Sequence, residues 1–128
     1  MRVQAKPNHR SANEGAVLTK ATIRIADKLE VSQKTLASII GVSEAVVSRM
    51  RNGSYALERS SGKPFELAAL FIRLYRSLDA IVGGDEAVAR AWLKNKNTVL
   101  RSRPIDLIQK VHGLIDVIQY LDARRAPV

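Results

Sequence analysis

Four side chains on one short segment carry the clearest chemical signal in this chain: Glu44, Ala45, Ser48 and Arg49. In a helix, three- and four-residue spacing gathers them on a common face, where the nearest large apolar residue is Val46. An arginine in such a place can pair in bidentate fashion with guanine. A glutamate can accept from cytosine N4, and an alanine methyl can meet the methyl of thymine. Val47 and Met50 fall on the opposite face, with Val42 just ahead of them. A helix anchored by one face and polar on the other is built to enter a DNA groove.

The elements needed to hold that helix are written around it. Ser43 is a good N-cap, and Asn52-Gly53 supplies the positive φ that a helix C-terminus favours. Upstream, Ser32 to Ile40 predicts a partner helix with Leu36, Ala37 and Ile40 on one face. Gly41 stands between the two, where the turn of a helix-turn-helix often needs a glycine.

Other chemistries lack their constellations. His9 and His112 stand apart, with no carboxylate spacing suited to a metal. Ser60-Ser61 has no Gly-x-Ser-x-Gly pattern and no histidine partner, and Asp85-Glu86 reads as the acidic first turn of a helix. The chain contains no cysteine, which excludes disulfides and thiolate-zinc sites. Neither enzyme activity nor a cofactor is expected.

With 128 residues, of which 46% are apolar, the chain can form one domain, or two small ones sharing a core. No apolar run approaches a membrane span, and the N-terminus MRVQAKPNHRS lacks a secretory signal, so a cytoplasmic protein is expected. A net charge of +9 beside a helix-turn-helix pattern favours phosphate binding. The charge does not locate the DNA surface: residues 1–60 carry ten Lys/Arg against five Asp/Glu, and residues 61–128 eleven against seven.

Apolar periodicity of helical type runs through most of the chain, and no convincing alternation occurs, so the fold class is all-α. Residues 1–10 read as a flexible basic arm. Ser11 and Glu14 are spaced as a capping box for a helix reaching about Leu29, with Leu18, Ala21, Ile25 and Leu29 inward. Lys20, Arg24 and Lys28 make a basic stripe along it, either solvated surface or a contact to the DNA backbone. Tyr55 to Gly62 predicts a connection with at most one helical turn. From about Pro64 to Val82 runs the longest helix, with Leu67, Leu70, Phe71, Leu74, Leu78 and Ile81 as one stripe and Ala68, Ile72 and Tyr75 as a second. Such a helix is buried on more than one side: a spine, or half of a dimer interface. After Gly83-Gly84, Asp85 to Lys94 predicts a short helix with Val88, Ala91 and Trp92 inward, Trp92 as a core anchor between the spine and the last helix in preference to a contact with a partner. A basic loop, a brief helix opened by Pro104, and a last helix from Val111 to Arg124 complete the chain. In that last helix Val111, Leu114, Ile115, Ile118 and Leu121 face inward. The organisation expected is an arm (1–10), a helix-turn-helix domain (11–62) and a helical dimerisation and partner-binding domain (63–128).

The region from Asp85 onward resembles the C-terminal toxin-binding domain of Xre/MbcA/ParS-type antitoxins. The resemblance rests on Trp92-Leu93, on Asn97 to Leu100, on Arg103-Pro104-Ile105-Asp106-Leu107, and on the final helix from Val111 to Leu121. Gln33 to Gly53 is similar to the Xre-type domain those antitoxins carry. The departures are Arg101-Ser102-Arg103, where the family often has glycines, and the ending Ala126-Pro127-Val128. The resemblance implies a homodimeric repressor that binds operator DNA and a RES-domain toxin consuming NAD+ or transferring ADP-ribose. It implies phosphate contacts from Gln33, Ser43, Arg51 and Asn52, although Gln33 and Ser43 read equally as caps. Toxin contacts would fall on Asn97, Arg101, Arg103, Arg124 and Arg125. The net charge favours an acidic partner surface. The alternatives are a dimeric phage- or plasmid-type repressor without a toxin, and an interaction protein that no longer touches DNA.

Overall fold

The computed structural model of the protein describes residues 9–125. They form seven α-helices: α1 (His9–Lys28), α2 (Gln33–Ile40), α3 (Glu44–Asn52), α4 (Lys63–Val82), α5 (Glu86–Lys94), α6 (Pro104–Leu107) and α7 (Val111–Arg125). One 3-10 turn, Arg59–Ser61, joins α3 to α4. The described residues include no strand, only an isolated antiparallel bridge between Asn97 and Ser102. The fold is all-α.

Local chemistry sets most of the helix ends. Ser32 Oγ accepts from Thr35 N and Ser43 Oγ from Val46 N, each at 3.1 Å, so both open a helix by satisfying an otherwise unpaired N–H. Gly41, with φ 72°, ends α2 in the left-handed conformation and turns the chain into α3. Pro64 lies in the first turn of α4, where its missing N–H costs nothing.

The start of α1 departs from expectation. The helix is already formed at His9, so Ser11 is interior to it and is not a cap. Of the expected arm, residues 1–8 lie outside the described residues, while His9 and Arg10 belong to α1. Glu14 has a charged partner that no local pattern could reveal: its Oε2 accepts from Arg59 Nε at 2.7 Å, and the pairing raises the Arg59 pKa. The α3–α4 connection is thereby fastened to α1. The same seam is tightened at Gly15, where a Cβ would stand 2.2 Å from Leu57 O, and at Thr19, whose Oγ1 accepts from Leu57 N at 2.9 Å.

Helix α4 is the spine. It buries Leu67, Ala68, Phe71, Ile72, Leu74, Ser77 and Leu78, and it packs against α1, α2, α5 and α7. Each fully buried leucine or phenylalanine contributes roughly 1.5–3 kcal/mol. Ile81, expected in the apolar stripe, is exposed at the end of the helix. On α7 the buried residues are Leu114, Val117, Ile118 and Leu121, with Ile115 half-buried and Val111 56% exposed. Contact with α6 shifts this face: α7 approaches so closely that a Cβ on Gly113 would lie 2.1 Å from Leu107 O.

A polar clasp locks α4 to α7. Ser77 Oγ donates to Asp122 Oδ1 at 2.7 Å, Arg73 pairs with the same carboxylate, and Arg125 reaches Ser77 Oγ at 3.4 Å. The Ser77 hydrogen bond, and then Arg73, hold the Asp122 carboxyl below the usual carboxylate range.

The orientation of α5 also differs. Ala89 and Leu93 face the core, whereas Val88 is 49% exposed, Ala91 is exposed and Trp92 only half-buried. The apolar stripe expected inward is turned outward because long-range contacts fix the rotation of the helix. Arg90 Nη1 donates to Lys28 O at 3.1 Å, and Lys94 Nζ to Glu30 O at 3.0 Å. Both cations cover the carbonyl end of α1, where the helix dipole favours them. Holding Arg90 and Lys94 against α1 commits Ala89 and Leu93 to the interior, leaves Val88 and Ala91 exposed, and sets Trp92 half-buried against the edge of the core.

Candidate DNA and partner interfaces

Helix α3 anchors through Val47 and Met50, both buried, and exposes Glu44, Ala45, Ser48 and Arg49. Arg49 makes no ion pair with any described residue, and its guanidinium is open to a ligand. Glu44 at the first helical position also suits the positive end of the α3 dipole.

The four flanking residues have structural partners. Gln33 Nε2 donates to Glu44 O at 3.1 Å, tying the start of α2 to the start of α3. Ser43 caps α3. Asn52 Oδ1 accepts from Ser54 N at 2.9 Å and shapes the exit from the helix. Arg51 Nη1 lies 2.9 Å and 3.1 Å from the two carboxylate oxygens of Asp27 on α1. The helix-turn-helix thus holds its own angle through these residues, and the outward row on α3 does none of that work.

Beside α3, Lys20 and Arg24 of α1 line a cleft with Ile23, Asp27, Met50 and Arg51. Lys28, the third member of the basic stripe, is drawn away to Glu86 at 3.9 Å and lies 5.7 Å from the Tyr75 ring centre. Only the first two turns of the stripe therefore flank the recognition helix, a distinction invisible in four-residue spacing.

In the C-terminal part, the loop after α5 is tightly wound. Asn97 Oδ1 accepts from Val99 N and Leu100 N, at 2.9 and 3.0 Å, and the Asn97 backbone pairs with Ser102. Arg101 closes the loop with φ 63° and is exposed, its backbone N–H donating to Asn97 O at 2.7 Å. A left-handed arginine occupies a place that glycine takes more easily. Arg103 is held in a fork by Asp106, with contacts of 2.9 and 2.8 Å that raise its pKa. Arg124 lies with its guanidinium 4.8 Å from the centre of the Tyr120 ring. Tyr120 in turn stacks on Trp92, with ring centres 6.2 Å apart. Trp92 and Tyr120 thus join α5 to α7 at the surface, half-buried and not enclosed in the core.

Asn97, Arg101 and Arg103 share one loop, while Arg124 and Arg125 lie at the end of α7, Arg125 reaching Ser77 of the α4–α7 clasp. Among the described residues no group of His, Cys, Asp and Glu could hold a metal ion, and no helix is long and apolar enough to cross a membrane.

Comparison with known families bears on both regions. Residues 9–73 match the antitoxin Xre-like helix-turn-helix domain, and residues 77–126 match the antitoxin Xre/MbcA/ParS C-terminal toxin-binding domain. The chain belongs to the Xre/MbcA/ParS antitoxin family. No curated protein matches it. As an antitoxin of a toxin-antitoxin system, it combines a DNA-binding helix-turn-helix with a toxin-binding domain. The two matched regions meet inside α4, so in this antitoxin a single helix belongs to both.

Proposed function

We propose that this antitoxin acts as a homodimer in the cytoplasm, represses its own operon through α3, and neutralises a RES-domain toxin by direct binding. Such a toxin would consume NAD+ or transfer ADP-ribose. One observation carries the DNA half: α3 exposes a row of side chains, Glu44, Ala45, Ser48 and Arg49, that the fold does not use. These residues would read base edges. Gln33, Ser43, Arg51 and Asn52 would meet phosphates, the first through the second N–H of its side-chain amide and the others from the ends of α3. In a dimer, two recognition helices would enter successive major grooves about 34 Å apart.

For the toxin half, support comes from the matched C-terminal domain and from exposed cations placed on it. Arg101 on the loop and Arg124 and Arg125 on the tail would face an acidic toxin surface, with Asn97 and Arg103 shaping the loop and lending their outer edges. The identity of the toxin rests on family resemblance alone.

Co-expression with the adjacent open reading frame tests this reading. Growth arrest by the neighbour alone, rescue by this chain and stable co-purification are expected, together with repression of a reporter driven by the operon promoter. A harmless neighbour that does not bind would leave a dimeric repressor without a toxin as the better account.

A further inference from the structure

Part of the apolar stripe of α5 is left open by the fold: Val88 and Ala91 are exposed, and Trp92 is half-buried, packed against the core yet reaching the surface. Val88, Ala91 and Trp92 recur at three- and four-residue spacing, so they form one ridge along two turns of the helix. Full burial would ordinarily be the reason for such a pattern, yet the fully buried residues are Ala89 and Leu93, and of the stripe only Trp92 is partly covered. At its far end the ridge continues across to α7 through the Trp92–Tyr120 stack, and the guanidinium of Arg124 lies over the Tyr120 ring. The guanidinium of Arg124 makes no ion pair with a described residue, so its edge is available to a carboxylate.

From this placement we infer that the ridge Val88–Ala91–Trp92, extended by Tyr120 and Arg124, is the anchoring surface for the toxin. The inference rests on the antitoxin reading and names where in the C-terminal domain the partner sits. Every one of these residues lies within the region matched to the toxin-binding domain. The C-terminus of α5 runs directly into the loop that carries the exposed Val99 and Arg101, so the two surfaces are continuous in the chain. A tryptophan, a tyrosine and an arginine together are the residue types that concentrate binding energy at interface centres. Five side chains fall short of the roughly 800 Å² per partner that a stable complex buries, so this ridge is the centre of the contact and the loop is its rim. The toxin surface that fits is an apolar depression with a carboxylate at the edge nearest Arg124.

Trp92 is the only tryptophan of the chain and reports on its own burial. The full-length antitoxin is labelled with 5-fluorotryptophan and titrated with the product of the adjacent open reading frame, and separately with operator DNA. Toxin should move the single 19F resonance and lower its exposure to a soluble quencher several-fold, whereas DNA should do neither. Val88→Asp, at an exposed position, should weaken toxin binding at least ~10-fold with operator affinity and melting temperature unchanged. The assignment is overturned if Trp92 stays open to quencher in the complex while Val88→Asp binds as the wild type does. It is equally overturned if dilution of the free protein alone exposes Trp92, because a second copy of the chain then covers the ridge. Should the wild-type chain fail to bind the adjacent product at all, the antitoxin pairing itself fails, a result visible before any variant is made.

Discussion

Replacing Arg49 with alanine separates recognition from folding more cleanly than any other single change on α3. Its side chain is exposed and has no ion pair among the described residues, so the fold loses little. A surface change of this kind stays within about 0.5 kcal/mol, or roughly 2 °C for a domain of this size. Against operator DNA the loss is larger. One bidentate arginine–guanine pair contributes about 1–3 kcal/mol of discrimination, a 5- to 150-fold effect at each half-site. In a homodimer both half-sites lose it, so ~2–6 kcal/mol is expected for the whole operator. Fluorescence anisotropy on the operon promoter, at several salt concentrations, measures this directly. If Arg49 touches a base, the slope of log affinity against log salt stays put. If it touches a phosphate, the slope falls by about 0.9 per contact. Arg51→Ala is the matched comparison two residues away: its guanidinium, also engaged by Asp27, is assigned to a phosphate, so its loss should lower that slope by about 0.9 per contact. Both partners of that pair are substantially exposed, so its loss costs ~0–1 kcal/mol of stability. Wild-type operator affinity for Arg49→Ala at ~0.15 M salt would remove Arg49 from the reading face of α3.

The remaining predictions concern the scaffold. Gly113→Ala should lower the melting temperature by roughly 4–12 °C, corresponding to ~1–3 kcal/mol, because the new Cβ meets the backbone of Leu107 and α7 must lift from α6; calorimetry showing no change would contradict the close approach. Asp122→Asn should flatten the acid limb of the stability profile. The folded Asp122 carboxyl sits below its unfolded value, so its contribution is present above about pH 4 and lost as pH falls through the lower folded pKa. Urea melts of both proteins from neutral pH into that range check the sign, and a variant that keeps the wild-type steepness rules out the clasp. Arg90→Ala should cost ~1–2 kcal/mol and speed amide exchange in α5 more than in α2 and α3, since it removes the donor to Lys28 O; equal exchange in all three helices would refute that role.

The helix-turn-helix was legible because its determinants are local. Ser32, Gly41, Ser43 and Gly53 act on neighbours within a turn, and each does in the structure what its type suggests. The spine was legible from two adjacent apolar stripes on α4. What sequence could not convey was rotation set from a distance. The outward turn of α5 follows from Arg90 and Lys94 reaching across more than sixty positions to α1. Likewise, Glu14 fits a capping box by spacing, yet its partner Arg59 is 45 residues away. The candidate DNA residues divide the same way. The open face of Arg49 follows from helical spacing, whereas the attachment of Arg51 to Asp27, 24 residues earlier, needs the folded chain. On the partner side, Trp92 does pack against the core and the last helix, as a core anchor should, but only the folded chain shows that it stays half-buried.

Helix α4 has a consequence for how the protein can be taken apart. Its twenty residues form a rod about 30 Å long. The same rod supplies Leu67, Ala68 and Phe71 to the core beneath the helix-turn-helix and the serine and arginine that clasp α7. No cut between the two halves leaves either of them with a closed interior. Removing everything after residue 62 strips α1 and α2 of the surface they pack on, and a nick within α4 opens both ends together. A protease that breaches this helix would therefore undo the DNA-binding and the toxin-binding halves in one event, so the lifetime of a single rod would set the timing of both.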